Sequence, residues 1–110
     1  MNVIFLQEVF EYLKNLIPIL YKNGYFSFED LAIDYVEELI DDIQMSLPLR
    51  LHKSAPKHFD TYGKNMEYAI FPKNKRTTWY VFFTKYIIEN GEEIYLVRYI
   101  GNNHTIAQYL

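Results

Sequence analysis

The chain contains no cysteine, which excludes disulfides and thiolate metal sites and removes any need for an oxidising compartment. Its four glycines are too few and too scattered for a phosphate-cradling loop, and neither a Ser-His-Asp set nor a paired-carboxylate arrangement is present. Long hydrophobic runs are also missing. The opening Met1-Asn2-Val3-Ile4-Phe5-Leu6 lacks a basic flank, and Gln7, Glu8 and Glu11 interrupt it too early for a signal peptide or a membrane span. A cytoplasmic protein is therefore expected. His52 and His58 stand six apart without helical i,i+4 spacing or acidic neighbours, so neither a metal nor another cofactor is expected.

What the chain does hold is apolar and aromatic. Half of its 110 residues are hydrophobic, and 11 Tyr with 8 Phe contribute to an aromatic fraction of 18%. That is enough to build one core and argues against disorder. The length fits a single domain over residues 1–110. Charge is divided along the chain. Residues 1–47 carry two basic and nine acidic residues, a balance of −7, whereas residues 48–110 carry nine basic and five acidic residues, a balance of +4. Such a division suits a surface that meets a polyanion beside one that does not.

Periodicity assigns the elements. Leu6, Val9, Phe10, Leu13, Leu16, Ile17 and Leu20 form the stripe of an amphipathic helix. Pro18 should bend or fray its last turn, and Asn23-Gly24 should stop it. Ser27 reads as the N-cap of a second helix, whose stripe is Phe28, Leu31, Tyr35, Leu39 and Ile43, with Val36 and Ile40 beside it. That helix must end before Pro48. The acids Glu37, Glu38, Asp41 and Asp42 read chiefly as its solvated face. Residues 48–65 read as a long ordered loop. Strands are expected at 66–71, 77–88 and 93–100, the last two joined by the two-residue turn signal Asn90-Gly91. Gly101-Asn102-Asn103 should break the last strand, and whether residues 1–5 form a further strand is left open. The expected fold is α+β, an N-terminal helical hairpin packed on a small antiparallel sheet and burying Leu13, Ile17, Leu39 and Ile43.

This order resembles the RelE/ParE toxin superfamily of type II toxin-antitoxin systems. The similarity rests on the aromatic strand after a basic turn, Lys73-Asn74-Lys75-Arg76-Thr77-Thr78-Trp79-Tyr80-Val81-Phe82-Phe83, and on Leu96-Val97-Arg98-Tyr99-Ile100 with the corner that follows. The resemblance implies a toxin held by a cognate antitoxin, with a non-catalytic protein-binding module of the same fold as the alternative. The toxin's target is either ribosome-bound messenger RNA, cleaved without metal, or DNA gyrase; the corner Gly101-Asn102-Asn103 lacks the family's basic residues and keeps the second target open. For RNA cleavage, Arg98, His104 and Tyr109 are the expected catalytic residues, and Lys73, Lys75, Arg76 and Tyr80 the expected nucleic-acid contacts. Arg98 stands out because, by period two, it shares a strand face with apolar Leu96 and Ile100, so it must either pair with a helix acid or open into a site.

Overall fold

Along three strands, alternate residues are apolar on both sides, so the sheet has to be covered twice. A computed structural model describes residues 2–110 and shows how. The elements run β1 (Asn2–Phe5), α1 (Gln7–Lys22), α2 (Glu29–Ser46), β2 (Lys53–Ser54), β3 (Glu67–Pro72), β4 (Thr78–Ile87), β5 (Glu93–Asn102) and α3 (Asn103–Ile106). The fold is α+β, with a five-stranded sheet in the order β1-β5-β4-β3-β2. The sheet is mixed rather than antiparallel, because β1 joins β5 in parallel while every other pairing is antiparallel. Residues 2–5 are thus a strand, and the helices follow it rather than opening the chain. Val3 and Phe5 pack on the core while Ile4 stays exposed, the period-two signature of an edge strand with one buried face.

One face of the sheet presents Ala69, Phe71, Trp79, Val81, Phe83 and Val97 to Val9, Leu13 and Leu16 of α1 and Val36, Leu39 and Ile43 of α2. Leu13, Leu39 and Ile43 are fully buried, while Ile17 lies half-buried at the edge of this core. The stripe of α2 is rotated from the expected one. Ala32, Val36, Leu39 and Ile43 face the core, whereas Phe28 and Leu31 are exposed. The N-cap is Phe28 in an extended conformation and not Ser27, so the first turn begins one residue later than the capping signal suggested. Pro18 sits within α1 without ending it, and the helix runs on to Lys22. Its stop is a Schellman motif. Gly24 adopts φ +77, Tyr25 N donates to Leu20 O at 3.0 Å and Gly24 N to Tyr21 O at 3.2 Å.

The second face carries Tyr68, Ile70, Tyr80, Phe82 and Tyr99 and is closed without a long helix. Its cover comes from residues 55–66 and the C-terminal turn, through Phe59, Met66 and Ile106. The segment expected as a plain loop therefore includes the two-residue edge strand β2 and a 3-10 turn at Lys57–Phe59 that buries Phe59 completely. The Asn90-Gly91 hairpin also differs from its signal. Ile88 N donates to Glu92 O and Gly91 N to Ile88 O, with Gly91 at φ +84. This is a three-residue loop with glycine at the left-handed position, instead of the two-residue turn. Strand β5 also runs through Gly101 and Asn102, which pair with Tyr80 and Trp79, so the break falls later than expected. Ile106 packs directly over Gly101, where a Cβ would meet its Cδ1 at 3.0 Å.

Two ion pairs tie the acidic helix to the basic half of the chain, Asp42 to Arg50 at 3.3 Å and Glu38 to Lys73 at 3.4 Å. Half of the acid cluster thus docks the helix while Glu37 and Asp41 face solvent. At such exposure each pair contributes at most about 1 kcal/mol, so the apolar layers dominate stability. Phe59→Ala should therefore destabilise the domain by about 3–5 kcal/mol, as much as a truncation beneath the helices such as Phe83→Ala. Urea unfolding followed by circular dichroism measures this; a loss below about 1 kcal/mol would show that residues 55–65 are not a structural layer.

Candidate functional site

Arg98 owes its position to a bulge. Phe82 pairs with Tyr99 and Phe83 with Val97, so Arg98 is an extra residue in β5 with no partner in β4. The insertion breaks the simple alternation. Val97 and Ile100 both reach the helix-side core, while Arg98 and Tyr99 both face the other side. Arg98 and Ile100 consequently lie on opposite faces, contrary to the period-two expectation.

On its face the guanidinium is half-buried, with Nε donating to Thr84 Oγ1 at 2.9 Å and Nη2 to Tyr86 OH at 2.8 Å. No carboxylate lies within ion-pair distance of it among the described residues. Two neutral hydroxyls orient the cation without neutralising it, and its remaining N–H groups are available. Gly63 passes close above, where a Cβ would fall 2.7 Å from Arg98 Cδ, so a side chain there would push the arginine from this position.

The arginine opens onto a cleft of about 480 Å³ between the start of α1 and the part of β5 beyond the end of β1. Glu8 and Tyr12 from α1, Tyr62 from the loop, and Tyr99 line it with Arg98. Tyr62 and Tyr99 stack at 4.0 Å between ring centroids. Burial, the neighbouring Tyr62 hydroxyl and Tyr12 push the Tyr99 phenol from 10.0 up to about 12, so it holds its proton well above neutral pH. The arrangement combines a preorganised cation, a carboxylate, a proton donor and flat aromatic surfaces.

The other residues singled out from the sequence fall elsewhere. Tyr80 is half-buried on the same sheet face, tilted against Tyr68. Tyr109 stacks on His58 at 3.6 Å with the rings 5° from parallel, closing the C-terminal turn over Phe59. Lys73 is held by Glu38 and lies 5.1 Å from the Tyr35 ring centroid. Lys75 and Arg76 are exposed at the tip between β3 and β4. His104 lies in the first turn of α3, its Nε2 3.3 Å from Thr77 Oγ1, and with Arg76 lines a separate groove against the ends of the helices. Arg98 and His104 thus belong to different clefts. Among the described residues no group of three or more His, Asp or Glu side chains is placed to hold a metal ion, and no helix is long and apolar enough to cross a membrane.

Sequence reasoning missed Glu8, Tyr12, Tyr62, Thr84 and Tyr86. Glu8 and Tyr12 occupy i,i+4 positions on α1 and so share a face, a spacing visible in the sequence; the others meet Arg98 only through the bulge and the loop crossing. No protein-family profile, curated protein or solved structure matches the chain.

The tyrosines fix an alkaline limit. Tyr95 is likewise pushed up to about 12, by burial and by its hydrogen bond to and the charge of Glu93. An unfolded tyrosine ionises near 10.0 while these two keep their protons in the folded state until about 12. Their stabilisation is therefore complete below pH 10 and is lost as pH rises through that interval. Tyr99→Phe should shrink this alkaline loss, measured as urea midpoints across the interval; an unchanged slope would mean that the Tyr99 phenol titrates normally.

Proposed function

We propose that the chain is the toxin of a type II toxin-antitoxin pair, with a helical hairpin on a RelE/ParE-like sheet, and that it arrests growth by metal-independent cleavage of messenger RNA. The observation that carries this reading is Arg98, a half-buried guanidinium with no acid partner among the described residues, beside Glu8 and Tyr99 in one cleft. The strand order supports it too, since the first strand lies beside the last with the two long helices between them in sequence.

Glu8 accepts the proton of a ribose 2′-hydroxyl as that oxygen attacks the adjacent phosphorus. The bond to the 5′-oxygen breaks, leaving a cyclic phosphate, and the Tyr99 phenol protonates the departing oxygen. Arg98 faces the negative charge that builds on the phosphoryl oxygens. Tyr62 and Tyr12 offer stacking surfaces for the flanking bases. A cognate antitoxin restrains the activity.

Expression without a partner should arrest growth and create new transcript ends, mapped by primer extension. Arg98→Ala should lower cleavage roughly a hundredfold or more, and Glu8→Gln by a similar factor, with RNA binding retained. His104→Ala, in the other groove, should still cleave. Arrest without new transcript ends but with gyrase-linked DNA breaks would assign the toxin to gyrase instead.

A further inference from the structure

A second groove, of about 490 Å³, lies at the opposite end of α1 from the Arg98 cleft, within the size range of roughly 300–1,000 Å³ typical of ligand sites. One wall is apolar, made by Leu16, Leu20, Tyr25, Tyr35 and the indole of Trp79. Trp79 Nε1 donates to Tyr35 OH at 2.9 Å, which fixes both rings. The remaining lining is polar and comes from the tip between β3 and β4, the end of β5 and the first turn of α3, with Asn74, Arg76, Thr77 and His104.

Three features give this lining a sign. Among the described residues no Asp or Glu lines the groove, although the chain as a whole carries a net charge of −3. The backbone of Arg76 is pinned on both sides, its N donating to Asn74 Oδ1 at 2.9 Å and its O accepting from Asn103 Nδ2 at 3.0 Å. Its guanidinium nevertheless has no protein acceptor or acid partner among the described residues. The second basic group, His104, sits beside it against Thr77 Oγ1. A cation at the margin of an aliphatic and aromatic trough, with no carboxylate to satisfy it, matches an occupant that is apolar along its length and anionic at one end.

We infer that this groove binds an amphiphilic carboxylate, a medium-chain fatty acid or an arylalkanoate, with its hydrocarbon body against Leu20, Tyr25 and Tyr35 and its carboxylate on Arg76 and His104. Aliphatic side chains in the apolar wall favour a hydrocarbon over a sugar-phosphate chain, which would leave its polar atoms unpaired there. The site is independent of the Arg98 cleft and needs no RNA activity.

Trp79 is the only tryptophan in the chain and donates to Tyr35 in the apolar wall, so its fluorescence is sensitive to what binds there. The full-length protein should bind decanoate saturably below its micellar concentration, with one site by calorimetry and a matching change in Trp79 emission. Arg76→Ala should weaken decanoate about tenfold, the loss of one charge-assisted contact. Arg76→Lys should recover part of that, and Ile19→Glu, which adds a negative charge at the exposed rim, should also weaken it. Decanol should bind more weakly than decanoate and ignore Arg76→Ala, while Arg98→Ala should bind decanoate normally. Failure of decanoate to bind, equal binding by Arg76→Ala, or uridine monophosphate binding as tightly with the same Trp79 response would each overturn the assignment.

Discussion

Strand β4 dictates the rest of the molecule because it is buried on both sides. Trp79, Val81 and Phe83 point one way and Phe82 the other, all with under a twentieth of their surface exposed. A strand of this kind cannot sit at a solvent boundary, so each face has to be covered by a separate apolar layer. The two long helices supply one. For the other, the chain uses residues 55–65 and the C-terminal turn, held down by Phe59 and Ile106. This explains why residues 48–65, with two prolines and no periodicity, are ordered, and why Phe59, in a short 3-10 turn, is among the most buried side chains.

Arg98 enters this two-layered sheet as an extra residue. Without the bulge, strict alternation would force a choice between burying Val97 and burying Ile100 with the helices. With it, β5 does both, and the arginine is carried to the second face, where Thr84 and Tyr86 receive it. A charge in that position is costly unless it is hydrogen-bonded. Hydroxyls meet that requirement while leaving the positive charge uncancelled, in contrast to Arg50 and Lys73, whose charges are spent on Asp42 and Glu38. The basic half of the chain therefore divides its cations between docking the acidic helix and facing open clefts.

The two clefts that result differ in character although both flank α1. At its start, Arg98 shares space with Glu8 and tyrosine hydroxyls, a mixture suited to moving protons. Near its end, Arg76 and His104 face aliphatic and aromatic surface with no acid, a mixture suited to holding an anion. The helix separates them, so residues such as Arg98 and His104, only a few positions apart in sequence, come to serve different surfaces.

The sequence by itself determined the elements whose information is local. Both long helices, the three long strands and the glycine stop at Gly24 follow from spacing and turn chemistry, since those signals depend on a few neighbouring residues. Prominence of Arg98 was legible as well, from a charge amid apolar neighbours. Tertiary structure decided everything that depends on partners distant in sequence. Residues 2–5 became a strand because β5 offered a free edge; α2 turned Ala32 rather than Leu31 inward because the small residue fits against the core. Above all, the bulge that sets the direction of Arg98 arises from the competing demands of two layers on one strand. No local pattern contains that demand, because it exists only once both faces of the sheet are packed.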